Sequence, residues 1–220
     1  MHRRYRDVSA RPKNRALTEK RLIDAVGSII RTRGYKALGV NAIAREADVN
    51  KKLIYRYFGT VDELIETYIL ENDYWMILSR ERGDLMESAP APEEIKEAII
   101  SILEGQFDYF LNHQPMQSII LWGITEHVDI LNSMGNIREI FGDVIFKKTD
   151  DFFNDTRVSL RAISAILVSG IYYMVLHTVK NEGRICGIDI SSPEGRKEIV
   201  EAIRQIVEWS FDQARPGTNK

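Results

Sequence analysis

Apolar residues recur at three- and four-residue spacing in segment after segment of this chain, which is the periodicity of a helical face. Leu22, Ile23, Val26, Ile29 and Ile30 form the first stripe and predict a helix from about Leu17 to Arg33, stopped by Gly34. Val40, Ile43, Ala44 and Ala47 predict a second, short helix. Asp48-Val49-Asn50 breaks the pattern, with Val49 filling the angle and Asn50 capping the third helix. Ile54, Tyr57 and Phe58 supply the apolar face of that helix, whose Lys51, Lys52 and Arg56 are left on the outside. Thr60-Val61-Asp62-Glu63 reads as a capping box that opens a long helix through Leu64, Ile65, Tyr68, Ile69, Trp75 and Leu78 to about Arg82. Gly83 to Pro92 is a break. Further helices are predicted over 93–113, 116–127, 130–154 and 158–181, with Pro115 marking one turn. Ser191-Ser192-Pro193-Glu194 starts the last, which carries Ile199, Val200, Ile203, Ile206, Val207 and Phe211. The expected fold is therefore all-α, with about nine helices.

The stretch between Arg161 and Lys180 holds no Asp, Glu, Lys or Arg. Ser164, Ser169, Tyr172, Tyr173, His177 and Thr178 interrupt it, and it is short for a membrane span, so a helix buried on most sides is expected and no membrane is called for. Ala162, Ala165 and Ser169 put small residues on one side, which permits close approach of another helix. Two apolar helices at the end of an all-helical body suggest a four-helix bundle formed between two copies, with Ala162, Ala165, Ser169, Ile199, Ile203, Ile206 and Val207 at the dimer interface. The alternative is that both helices complete the core of a single chain.

Charge changes the picture at the other end. The 220 residues carry a net −2, but residues 1–58 hold 15 Lys and Arg against 5 Asp and Glu, or +10, and residues 59–220 hold 15 against 27, or −12. A basic head on an acidic body steers the head toward a polyanion. Two short helices joined by a tight turn, the second with a basic outer face, form a helix-turn-helix whose second helix fits a DNA major groove. Residues 1–16, with Arg3, Arg4, Arg6, Arg11, Lys13 and Arg15, lack an apolar core and are expected to be a flexible basic arm rather than a signal peptide. Such an arm either touches phosphates or the minor groove, or remains a loosely attracted tail. The single Cys186 makes no internal disulfide, and the four histidines lack metal-ligand spacing. There is no Gly-rich phosphate loop and no nucleophile–base pair, so neither an enzyme nor a cofactor or metal is expected.

Residues 17–64 resemble the DNA-binding domain of the TetR (tetracycline-repressor-like) family of bacterial regulators. The resemblance rests on Arg33-Gly34-Tyr35, Ile43-Ala44, Ala47, Val49, the run Leu53-Ile54-Tyr55-Arg56-Tyr57-Phe58-Gly59, and Asp62-Glu63-Leu64. It implies a cytoplasmic regulator with a helix-turn-helix domain over 17–60 and a helical effector-binding and dimerisation domain over 61–215. It implies that Asn41, Lys51, Lys52, Leu53 and Arg56 face the groove beside the capping Asn50, and that Tyr55, Tyr57 and Thr60 hold phosphates. For Tyr57 a plain core role stays equally open, and Phe58 reads as core. The chain departs from the family pattern at Gly39 and Leu53, where Thr is frequent, at Lys52, where Gly is frequent, and at Val61, where Lys is frequent.

The resemblance also implies a homodimer on palindromic double-stranded DNA, with half-sites about one helical turn apart, released by a small-molecule effector. Candidates for the effector cavity are the aromatic and histidine side chains of the body: Trp75, Phe107, Phe110, Trp122, His127, Phe152, Tyr173 and His177. A regulator of the same fold controlled by a protein partner is the second reading, and a helical enzyme the third.

Overall fold

The computed structural model describes residues 10–81, 91–126, 132–181 and 183–215. Ten α-helices and a short 3-10 turn account for almost all of them, and no strand occurs among the described residues. In chain order the helices are α1 (Ala10–Arg33), α2 (Val40–Glu46), α3 (Lys52–Phe58), α4 (Val61–Asn72), α5 (Tyr74–Glu81), α6 (Pro92–Asn112), α7 (Gln114–Thr125), α8 (Asn132–Phe153), α9 (Leu160–Asn181) and α10 (Pro193–Ala214). The all-α expectation holds. Most of the expected basic arm, the Ala89-Pro90 part of the break and His127 lie outside the described residues.

Two boundaries differ from expectation. Residues 10–16, expected in the arm, are the first turns of α1. The long helix expected over 61–82 is two helices, because Asp73 ends one and caps the next. Its Oδ1 accepts the Trp75 N–H at 3.0 Å and the Met76 N–H at 3.2 Å, satisfying two donors that a new helix leaves without an intrahelical partner.

The chain divides into two compact units. The first comprises the described residues of 1–72 and 118–133. Its core is Leu22, Val26, Ile29 and Ile30 of α1, Ile43 of α2, Ile54 of α3 and Leu64 and Ile69 of α4, all at most 1% exposed. Gly27 lets α1 and α4 approach closely, since a Cβ there would sit 2.6 Å from the Tyr68 ring. Burial pushes the Tyr68 hydroxyl up to about 12. Two further contacts fix α2 against α1: the Glu46 carboxylate accepts from Ser28 Oγ at 2.7 Å and from Arg33 Nη2 at 2.9 Å.

The second unit comprises the described residues of 73–117 and 134–220. α6 is its axis, packed by α5, α9 and α10. Nine of its side chains are buried, which is why its apolar pattern is so dense. Arg204 of α10 pairs with Glu97 at 3.2 Å and Glu104 at 3.1 Å of α6. Phe211 of α10 stacks on Phe152 and meets Phe153 edge-on, joining α10 to the end of α8. Ser192 caps α10 by accepting the Gly195 N–H at 3.1 Å, with Pro193 in the first turn, as the sequence predicts.

One expectation about α9 fails. Its stretch Leu160–Val179 is long and apolar enough to cross a membrane, yet only 22% of that window is buried within the chain. Leu160, Ser164, Ile171, Val175 and Thr178 form a single buried strip, while Ala162, Ala165, Ile166, Ser169 and Tyr173 face outward. The uncharged composition reflects an apolar outer face, not burial on most sides.

Candidate nucleic-acid interface and body cavity

The turn between α2 and α3 is a Schellman-type C-cap. The Val49 N–H reaches the Ala44 carbonyl at 3.0 Å and the Asp48 N–H reaches that of Arg45 at 3.1 Å, with Asp48 at φ 49°. Arg21 of α1 donates to the Asp48 carbonyl at 3.2 Å, holding the turn against the support helix. Asn50 then accepts the Lys52 N–H at 2.9 Å, which starts α3. α3 buries Ile54 completely and half-buries Leu53, Tyr57 and Phe58.

That orientation leaves Asn50, Lys51, Lys52, Tyr55 and Arg56 exposed along one side, beside Asn41 at the start of α2. Lys51 Nζ donates to Asn41 Oδ1 at 3.3 Å, bringing the two helix starts together. The Tyr57 ring lies between two guanidiniums, with Arg15 at 5.2 Å and Arg56 at 5.9 Å from its centroid. Thr60 and Glu63 form the expected reciprocal cap, the Thr60 N–H to Glu63 Oε2 at 2.7 Å and the Glu63 N–H to Thr60 Oγ1 at 3.0 Å. Among the described residues no acceptor takes the Thr60 hydroxyl proton. Gly39, extended at φ 173°, starts α2 with no side-chain cap. Nothing lies within 4 Å of where its Cβ would be.

The second unit contains a cavity of about 920 Å³. Ile99, Ile102 and Leu103 of α6, Ile140, Ile145 and Phe146 of α8, and Val168 of α9 make its wall largely apolar. Trp75, Arg138, Glu139, Asp143, Arg161, Ser164, Ser169 and Tyr172 add polar groups. Arg138 donates from Nη2 to Asp73 Oδ2 at 2.7 Å, and its Cζ lies 5.6 Å from the Tyr172 ring centroid. Trp75 Nε1 donates to the Tyr172 hydroxyl at 3.1 Å.

Of the cavity candidates from sequence that lie among the described residues, only Trp75 lines this space. Phe107 and Phe110 are core, the latter edge-on to Tyr172 at 4.9 Å. Phe152 is taken up by Phe153 and Phe211. Tyr173 points out of the fold, and His177 is half-buried beside it at 5.7 Å. Trp122 belongs to the first unit, where it stacks on Tyr35 at 4.9 Å while Glu126 accepts from the Tyr35 hydroxyl at 3.0 Å. Phe107, Phe110 and Phe152 are thus engaged in packing rather than open to this space. Arg138 and Tyr172 line the cavity without being among the candidates read from the sequence, although a cation three residues before Phe141 on α8 is the signal that points to the first.

The interface expectation also divides. Ala162, Ala165 and Ser169 are exposed, and Ile199 and Ile206 are half-buried. Ile203 and Val207 are only 3% and 1% exposed, because they face the chain's own core. The large outward residues on α9 and α10 are instead Ile166, Tyr173, Val179 and Trp209.

A helix-turn-helix with an exposed basic helix, followed by an all-helical unit with a cavity, defines a class of DNA-binding regulators. Residues 22–68 match the model of the family described as bacterial regulatory proteins, tetR family, so the resemblance of this stretch to that family's DNA-binding domain is found independently of the fold. No curated protein sequence matches the chain. Among solved structures, the transcriptional regulator FadR from Bacillus subtilis in complex with stearoyl-CoA is similar over 88% of this chain and 98% of its own, at 16% identity and a TM-score of 0.61. The fatty acid degradation regulator FadR from Bacillus halodurans is similar over 86% and 94%, at 14% identity and 0.61. A TetR-like transcriptional regulator from Rhodococcus sp. RHA1 is similar over 90% and 97%, at 17% identity and 0.55. At these identities the likeness is one of fold, and it extends through the body as well as the head.

Proposed function

We propose that this protein is a homodimeric transcriptional repressor that binds a palindromic operator through residues 17–60 and leaves it when a small molecule enters the body, residues 61–215. The observation that carries the proposal is the exposed row Asn41, Lys51, Lys52, Tyr55 and Arg56 on a family-matched helix-turn-helix. Lys52 and Arg56 reach base edges, and Tyr55, Tyr57 and Thr60 hold phosphates. The cavity, whose wall combines an aliphatic stretch with several polar side chains, is the effector site. The stearoyl-CoA bound by the similar Bacillus subtilis regulator supports an effector with a long apolar part. Effector and operator then weaken each other's binding by the same factor.

The test is selection of bound duplexes from a random pool, followed by titration of the enriched site. An enriched palindrome is expected. Lys52→Ala with Arg56→Ala is expected to weaken binding to it by at least about tenfold while dimerisation persists, since each base-edge pair contributes roughly 1–3 kcal/mol. Wild-type affinity in the double variant removes α3 from the recognition role.

A further inference from the structure

We infer that the cavity recognises its ligand through a neutral carbonyl oxygen carried on a hydrocarbon chain, and that Arg138 Nε–H and the Tyr172 hydroxyl are the two donors that hold it. The inference rests on the cavity being the effector site. Arg138 Nε is buried and has no hydrogen-bond partner. The Tyr172 hydroxyl already accepts from Trp75, and among the described residues its own proton goes to no acceptor. Both residues line the cavity, and the Arg138 Cζ lies 5.6 Å from the Tyr172 ring centroid, so the two side chains are neighbours on its wall and a small shift of the guanidinium opens Nε to the space. A buried donor without an acceptor is costly, and a ligand oxygen relieves that cost at Arg138 Nε while accepting the Tyr172 hydroxyl proton beside it.

Charge selects the kind of oxygen. Arg138 is paired with Asp73, whose side chain is 2% exposed, and Arg161 is paired with Asp143 and Asp150. The other charges on the wall, Glu139 and Asp143, are negative. Every cation that faces the cavity is therefore matched, and a carboxylate entering it would add an uncompensated anion beside Asp73 and Glu139. A ketone, ester, thioester or amide brings the acceptor without the charge. The apolar wall from Ile99 to Val168 takes the chain.

Four probes of one chain length separate the possibilities on the full-length protein: 2-decanone, decanoate, decyltrimethylammonium and decane, each titrated by displacement of a fluorescent apolar reporter and by thermal shift. The ketone is expected to bind at least about tenfold tighter than decanoate or decane, a margin of the size one or two buried hydrogen bonds supply. Tyr172→Phe, which keeps the ring, is expected to remove most of that margin. Arg138→Met is expected to act likewise, but it strands Asp73, so Tyr172→Phe decides if the Arg138 variant does not fold. Decanoate binding as tightly as the ketone overturns the inference, as does an unaltered ketone preference in Tyr172→Phe. Equal binding of all four probes overturns it while leaving the cavity an effector site. No binding of any probe, with operator binding intact, overturns both the inference and the effector-site reading.

Discussion

Asp48 occupies a backbone conformation that suits glycine better. At φ 49° it ends α2 in the left-handed region, where a β-carbon costs about 1 kcal/mol and Asp recovers only part of that through local hydrogen bonding. Its carboxylate is fully exposed and meets Arg21 at 3.5 Å, a contact that contributes little in water. The stronger tie runs from Arg21 to the Asp48 carbonyl and survives any substitution. Asp48→Gly is therefore expected to stabilise the head by about 0.5–1 kcal/mol, read as a higher urea midpoint of its unfolding transition. A lower midpoint would mean that the side chain holds the turn by more than its geometry indicates. Gln106 poses the opposite case. It is 1% exposed and both ends of its amide lack partners, an expensive residue in the middle of α6 that nothing in the packing explains.

At the scale of elements, the helices were legible in the sequence because the apolar stripes of α1, α6 and α10 are long and their ends are chemically marked. Gly34 follows α1, Pro92 opens α6 and Ser192-Pro193 opens α10. The break at Asp73 was not legible by periodicity, since Leu64 to Leu78 keeps the stripe through it. Its mark is an acidic residue on that stripe, which is the residue type that caps a new helix. The exposed side of α3 was legible for a similar reason, as apolar α3 positions fix which side points out. The cavity was not, because it is made where four helices meet and no single stripe defines it. The α6–α7 junction adds a titratable element. His113 is half-buried, stacks on Tyr109 at 4.9 Å and accepts the Met116 N–H at Nδ1. Burial holds its pKa below the ordinary 6.5, so the folded protein keeps it neutral while the unfolded chain takes up a proton. The unfolded state then binds more protons below pH 6.5, and stability is expected to fall as pH drops through that region toward the folded pKa. His113→Asn is expected to flatten this part of the stability–pH curve, and an unchanged slope would assign it to other groups.

At the scale of the whole molecule, the outer face of α9 is the feature that a single chain leaves unresolved. Ile166 is 72% exposed and Tyr173 64%, with Ala162, Ala165 and Ser169 beside them, and Trp209 on α10 is 58% exposed. Outward aromatic and branched side chains on the last two helices are what an association surface requires. A symmetric pair would cover both copies of the patch with one contact and set two recognition helices on the two halves of a palindrome. Ile166→Arg is expected to leave the protomer folded, because it adds a charge at a position open to water, but to shift the protein to monomers in sedimentation equilibrium by burying that charge in the pair. Cooperative binding to the palindrome should be lost with the dimer, leaving weaker contacts that fall off steeply with salt. Ile203→Glu supplies the contrast. That residue faces the protomer's own core at 3% exposure, so its substitution is expected to unfold the second unit, seen as lost helical circular dichroism, before any effect on association can be read. A dimer of wild-type strength in Ile166→Arg would move the association surface off α9. A folded monomer would tie the apolar run between Arg161 and Lys180 to pairing of two chains.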